Sequence, residues 1–123
     1  MKFLEIAFTC YSVTDLARSR DFYEKILGLK PALNFEKDGK GWFEYEIGSG
    51  TLAITNMDPE GWPPAEFGAA VALEVVDFDA AIAELKAAKV KFSTEPVDYP
   101  SCRMAMICDP DGSKLCIHQR KAK

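Results

Sequence analysis

The strongest constraint on this chain is an internal repeat. Val13-Thr14-Asp15-Leu16 and Val75-Val76-Asp77-Phe78 lie about half the chain's length apart, and each closes an alternating run, sets an Asp before a helical pattern and leads into further alternating runs. Each half reads as strand, helix, three strands. An alternating strand carries one apolar face that must be covered. Two such units therefore set their helices on the convex side of a curved mixed sheet and leave a concave pocket on the other. The expected fold class is α+β, two βαβββ modules in a single domain over residues 1–123, a length typical of one domain.

Local signals place the elements. A strand is predicted over Phe3 to Val13, and Asp15 caps a helix whose apolar positions Leu16, Phe22, Tyr23, Ile26 and Leu27 recur at helical spacing up to a terminating Gly28. Three strands follow at Lys30 to Glu36, Gly41 to Ile47 and Gly50 to Thr55, with hairpin turns at Asp38-Gly39 and Gly48-Ser49-Gly50. Module 1 thus covers about 1–55. The segment 56–67, with Pro59, Gly61, Pro63 and Pro64, reads as a linker and hinge. Module 2, about 68–119, is predicted as a strand at Ala69 to Val75 and a helix from Asp77 through Ala88. A short extended piece at Lys91 to Ser93, a strand at Pro100 to Cys108, the turn Asp109-Pro110-Asp111-Gly112 and a last strand at Lys114 to His118 complete it. The basic tail 120–123 is expected to fray.

Period two then sorts the strands by face. Thr9, Tyr11 and Val13 share the helix side, with Phe8, Cys10 and Ser12 opposite. Val71, Leu73 and Val75 cover the second helix, leaving Ala70, Ala72 and Glu74 on the pocket face. Leu115 and Ile117 belong to the core, so Cys116 and His118 look the other way. The expected pocket is small, soft and weakly polar.

Composition excludes several partners. Fifteen Lys and Arg against 19 Asp and Glu give a net charge of -4, the wrong sign for gripping a phosphate backbone, so no nucleic acid is expected. No apolar run approaches the roughly 20 residues that span a bilayer, nor does the amino terminus read as a signal peptide, and a cytoplasmic protein without membrane contact is expected. The four cysteines form no C-x-x-C pair and a single His completes no structural zinc spacing; free thiols are expected.

Val13-x-Asp15-Leu16-x-x-Ser19 with Phe22-Tyr23 and Leu27-Gly28-Leu29, the echo from Val75 to Leu85, and the closing Asp109-Pro110-Asp111-Gly112 resemble the vicinal oxygen chelate superfamily of glyoxalases, extradiol dioxygenases and bleomycin-resistance proteins. The resemblance covers nearly the whole chain. It implies a homodimer. It also implies, for metalloenzymes of the superfamily, a divalent ion held by four strand residues, usually two His and two Glu. Carried over one at a time, those positions fall on Phe8, on Ala53 (with Thr51 and Thr55 as register alternatives), on Ala70 and on Cys116. Phenyl and methyl groups have no lone pairs. No metal site and no cofactor is therefore expected. A second departure is Lys89, which stands where the helix-ending glycine of the second module belongs.

The ligand-pocket candidates are Phe8, Cys10, Ala53, Ala70, Glu74, Cys116, His118 and Trp62, with His118 and Glu74 the candidate catalytic pair. Trp42, Phe67 and Tyr99 are further stacking candidates. Glu44 and Glu46 share a strand face, Arg103 could anchor an anion, and Met104 and Met106 offer a pliable wall. The leading expectation is a glyoxalase/bleomycin-resistance-like protein that binds a small organic molecule without a metal. The alternative is a lyase, isomerase or dioxygenase using atypical ligands (Cys116, Cys10, Glu74, His118) or metal-free acid/base catalysis by His118 and Glu74. A third reading is an interaction module whose pocket is plugged by Phe8, in which case Phe8→Ala would cost about 3 to 5 kcal/mol.

Overall fold

Asp15 and Asp77 perform the same task in both halves. Each is extended and turns its carboxylate onto the backbone N–H three residues on, Arg18 at 3.0 Å and Ala80 at 3.1 Å, satisfying a donor that the first helical turn leaves open. The computed structural model describes residues 1–2, 4–57, 60–65 and 68–122, which form two units, Met1–Pro64 and Ala65–Lys123. The fold is α+β, built from two βαβββ modules, each with its own four-stranded mixed sheet. No helix among the described residues is long and apolar enough to cross a membrane.

The first unit runs β1 (Thr9–Ser12), α1 (Leu16–Arg20), β2 (Pro31–Lys37), β3 (Lys40–Ile47) and β4 (Gly50–Thr55), with sheet order β1-β4-β3-β2. β1 is parallel to β4, and the rest is an antiparallel meander. β1 is shorter than the predicted run from Phe3, because its ladder with β4 reaches only from Thr9 to Ser12. Phe3 itself lies outside the described residues.

α1 is also shorter than predicted. After Arg20 the backbone widens into a π-helical stretch, Asp21–Ile26, before Gly28 ends it at φ 74°. The wider turn keeps Phe22 and Tyr23 both buried while Glu24 reaches the Tyr45 hydroxyl, which donates to it at 2.9 Å. Tyr23 stacks on Tyr45 at 6.1 Å between ring centroids, and the Arg20 guanidinium lies 4.2 Å from the Phe43 centroid. The sheet face with Tyr11, Phe43, Tyr45, Leu52 and Ile54 is thus the helix side; the opposite face, which the helix leaves open, holds Ser12, Ala53 and Thr55 buried and Cys10, Trp42 and Glu44 partly exposed. Gly41 is required here: a Cβ would sit 2.8 Å from Leu16 Cδ2, the Phe35 carbonyl and Phe43 Cε2. Asp38 and Gly39, at φ 55° and 78°, make the predicted tight turn.

The second unit runs β5 (Val71–Glu74), α2 (Phe78–Ala87), β6 (Phe92–Asp98), β7 (Cys102–Cys108) and β8 (Lys114–Arg120), in sheet order β5-β8-β7-β6. Ala105, Ile107, Leu115 and Ile117 form the helix side with Phe78 and Leu85. β6 corrects the short piece expected at Lys91 to Ser93. It continues through Pro96 because an edge strand can absorb a residue without an N–H, and its register shifts between Thr94 and Val97. The tail is also corrected at two positions. Arg120 closes β8, and Lys121 donates its backbone N–H to the Ser101 carbonyl and pairs its ammonium with Asp98. Lys89 does take the glycine-like φ of 60°.

Candidate functional site

Pairing fixes what faces what. On the open face of the first sheet Cys10 lies beside Ala53, which lies beside Glu44; one step along, Ser12 lies beside Thr55, which lies beside Trp42. Just upstream of β1, the Phe8 ring meets Trp42 edge to face at 5.3 Å. The Trp42 indole N–H donates to Glu44 Oε2 at 2.7 Å, fixing the indole plane from within its own strand. Of the two carboxylates on this strand face, Glu44 thus accepts from the indole through one oxygen. The Cys10 thiol is pushed up to about 12, first by burial and then by the Glu44 carboxylate, so at neutral pH it is a small apolar group.

The Ser12 hydroxyl is the anomaly on this face. Its residue is only 4% exposed, and its Oγ has no hydrogen-bond partner. An unsatisfied buried hydroxyl costs about 1–3 kcal/mol. Parity placed Ser12 on this face, but nothing in the sequence shows that it lacks a partner.

On the open face of the second sheet Glu74, His118 and Met104 stand in one row, and Ala72, Cys116 and Met106 in the next. His118 Nδ1 and Glu74 Oε1 are 2.6 Å apart, and the Arg120 backbone N–H donates to Glu74 Oε2 at 2.7 Å. The Arg120 N–H first, and the imidazole second, hold the Glu74 carboxyl below its ordinary value. An ionised carboxylate only accepts, so Nδ1 carries the imidazole proton. The Cys116 thiol is raised by burial, with Cys102 adding to it.

The eight pocket candidates divide accordingly. Phe8, Cys10 and Ala53 gather around Trp42 in the first unit; Glu74, Cys116 and His118 share a sheet face in the second. Ala70 is exposed and precedes β5, and Trp62 is half-exposed near the end of the first unit. Phe67 lies outside the described residues, and Tyr99 is half-exposed in the β6–β7 turn. Phe8 is 47% exposed, which corrects its reading as a buried plug. Arg103 faces the helix side instead, over the Phe78 ring and paired with Asp79 at 2.8 Å.

The positions that would ligate a divalent ion do not fit one. Ala53 is the residue paired with Cys10, and the Thr55 hydroxyl is already given to the Gly41 carbonyl at 2.7 Å. Phe8 and Ala70 offer no donor atom, and Cys116 is held as a thiol. Among the described residues no three His, Cys, Asp or Glu side chains are grouped to hold a metal.

Comparison with known proteins decides the family. The sequence profile of the Glyoxalase/Bleomycin resistance protein/Dioxygenase superfamily matches residues 5–117. The chain belongs to this superfamily. Among solved structures of the glyoxalase fold it is similar to TnmS3, an antibiotic binding protein from Streptomyces sp. CB03234, with 24% identity over 98% of this chain and 99% of that one and a TM-score of 0.79. It is also similar to SMU.1112c, with 25% identity, 95% and 99% coverage and a TM-score of 0.76. A superfamily member from Sphaerobacter thermophilus DSM 20745 gives 20% identity, 95% and 98% coverage and a TM-score of 0.74. No curated protein matches the chain. The superfamily assignment accounts for the paired modules.

Proposed function

We propose that this superfamily member binds a small, flat organic molecule against the open face of its first sheet and releases it unchanged. The observation that carries this reading is the Phe8–Trp42 aromatic corner beside the small residues Cys10 and Ala53. Rigid rings take up planar ligands at low entropic cost, and the protonated, half-buried Cys10 thiol is a small apolar neighbour to them. The likeness to an antibiotic binding protein supports the ligand class. A homodimer in the cytoplasm belongs to the same proposal: the exposed Leu4 and Ile6 would be covered by a second copy, and all four cysteines are free.

The test uses Trp42 as its own reporter. In a Trp62→Phe background, planar aromatic antibiotics are titrated while indole fluorescence is followed, and the ligand is recovered for mass spectrometry. Saturable quenching below the millimolar range, weakened in Phe8→Ala, with the ligand recovered intact, is expected. A panel without such a binder, or a ligand returned altered, overturns the proposal. Phe8→Ala should weaken binding but cost only about 1 kcal/mol of stability, since half of the ring is already in water.

A second reading is favoured by the 2.6 Å His118–Glu74 contact, which is the arrangement of a base with its orienting carboxylate. Under it, altered ligand would appear in the recovery assay, and His118→Gln would abolish the conversion.

A further inference from the structure

We infer that the corner of the second sheet where β7 begins and β8 ends recognises a small organic carboxylate, held by the Arg120 guanidinium and the His118 imidazole. The inference is independent of the Phe8–Trp42 reading, since it concerns the other unit and rests on other observations.

Cys102 and Arg120 are paired at this corner, and the surface there sinks into an open depression of about 380 Å³ whose lining includes Ser101, Cys102, His118, Arg120 and Lys121. That volume lies within the range of small-molecule sites, about 300–1,000 Å³, so it admits an organic body as well as an anionic head. Charge selects the class. Every charged side chain in the lining is basic, on a chain whose net charge is -4. The Lys121 ammonium is taken by Asp98, whereas the Arg120 guanidinium, although attracted by the Glu74 carboxylate, makes no salt bridge within 4.0 Å among the described residues. Its backbone is pinned by its N–H on Glu74, and a planar guanidinium fork matches the two oxygens of a carboxylate. Pro100 and Ala122 supply apolar wall for the rest of the molecule.

His118 makes the binding depend on pH. Its Nδ1 proton is directed to Glu74, which leaves Nε2 to meet the ligand. A carboxylate presents acceptors only, so Nε2 must be protonated to contact it. The groups facing this imidazole are Glu74 from β5, Cys102 from β7, Arg120 on its own strand, and Lys121 with its Asp98 partner at the end of β6. Glu74 balances the imidazolium charge. The imidazolium form of His118 is therefore the one that contacts a carboxylate.

The experiment is a titration of the ¹⁵N-labelled full chain with benzoate, with benzamide and inorganic phosphate as comparison probes, at about pH 5.5 and about pH 8, on either side of the histidine range. Benzoate is expected to shift the amides of Cys102, His118 and Arg120 saturably and to bind about tenfold more tightly at the lower pH. Arg120→Gln should weaken it by about tenfold at both pH values, and His118→Gln, with its spectrum otherwise intact, should flatten the pH dependence. Benzamide or phosphate binding as tightly as benzoate, shifts confined to other residues, or an Arg120→Gln variant that binds like the parent would each overturn the inference. Failure of the fluorescence test with success here removes the functional reading and leaves this site standing.

Discussion

The two modules follow one plan but are filled with different chemistry. Between α1 and its sheet the core is aromatic, with Tyr23, Tyr45 and Phe43 fully buried, and the helix widens to seat the rings. Beneath α2 the core is aliphatic apart from Phe78, and the helix is regular for its ten residues. The open faces diverge in the same way. Both carry a methyl, a thiol and a carboxylate; the first adds rings and hydroxyls, the second an imidazole and thioethers. Caps and strand parity set the plan, and the plan tolerates very different fillings.

Core deletions give the largest test of that contrast. Phe43→Ala is expected to cost about 3–5 kcal/mol, and Ile107→Ala about 2–5 with the smaller values favoured, because Phe43 loses both ring packing and the Arg20 contact. Urea denaturation of the two variants measures it, and an Ile107→Ala loss exceeding that of Phe43→Ala would break the comparison. Next in size is Gly41→Ala, at about 1–3 kcal/mol. One of the atoms its Cβ meets at 2.8 Å is the Phe35 carbonyl oxygen, which as backbone cannot swing aside.

The helix ends offer a reciprocal pair of substitutions. Gly28 and Lys89 occupy matching positions at φ 74° and 60°. A Cβ at Gly28 meets nothing within 4 Å, so Gly28→Ala should cost only the backbone strain, about 1 kcal/mol, whereas Lys89→Gly should gain about 0.5–1 kcal/mol. Thermal melts suffice to check the opposite signs.

Sequence legibility follows the range of the interaction. Asp15, Asp77, the Asp38-Gly39 turn and the glycine-like Lys89 were readable because each acts within a few residues. Parity also put Glu74 and His118 on one face, although they are 44 residues apart in sequence. What parity cannot supply is contact. The His118–Glu74 bond and the Phe8–Trp42 packing depend on how side chains lean across strands. The Trp42–Glu44 bond alone spans two residues, and the spacing of an indole and a carboxylate on one strand face could have signalled it. β6 was missed because Pro96 looks like a breaker until the strand is known to be an edge. The π-helical stretch escaped because its apolar residues still fit an α-helical count over so short a run. Arg120 was assigned to the tail, as nothing local shows that β8 continues to it.

Alkaline stability should separate the modules more gently, since burial raises both the Cys10 thiol and the Tyr45 hydroxyl in the first and the Cys116 thiol in the second. The Cys10 thiol, ordinarily near 9, is raised to about 12 in the folded chain, and the Tyr45 hydroxyl is raised too, first by burial and then by its bond to Glu24. A raised folded value means stability that is complete below the unfolded value and lost as the pH climbs toward the folded one. Stability should therefore decline above about pH 9. Cys10→Ala should flatten part of that decline, as read from urea midpoints across the alkaline range.

The smallest effect belongs to acid and to the second unit. Glu74, Asp79 and Asp98 are each held below their ordinary values, by the Arg120 N–H and His118, by Arg103, and by Lys121 respectively. A lowered folded value works in the opposite direction: the contribution is whole above the unfolded value and drains away as the pH falls through the folded one. For Glu74 the loss begins near its ordinary 4.5 and continues below it. Water screens all three carboxylates, so each share is small. Glu74→Gln keeps a side chain that can still bond His118 and the Arg120 N–H, yet it removes the titration. Urea midpoints collected from about pH 6 down to about pH 3, a span that brackets the carboxylate range, should fall less steeply in Glu74→Gln than in the parent. An unchanged slope would mean that the Glu74 contacts are equally strong in the unfolded chain, and the acid sensitivity assigned to the second module would then rest on Asp79 and Asp98 alone.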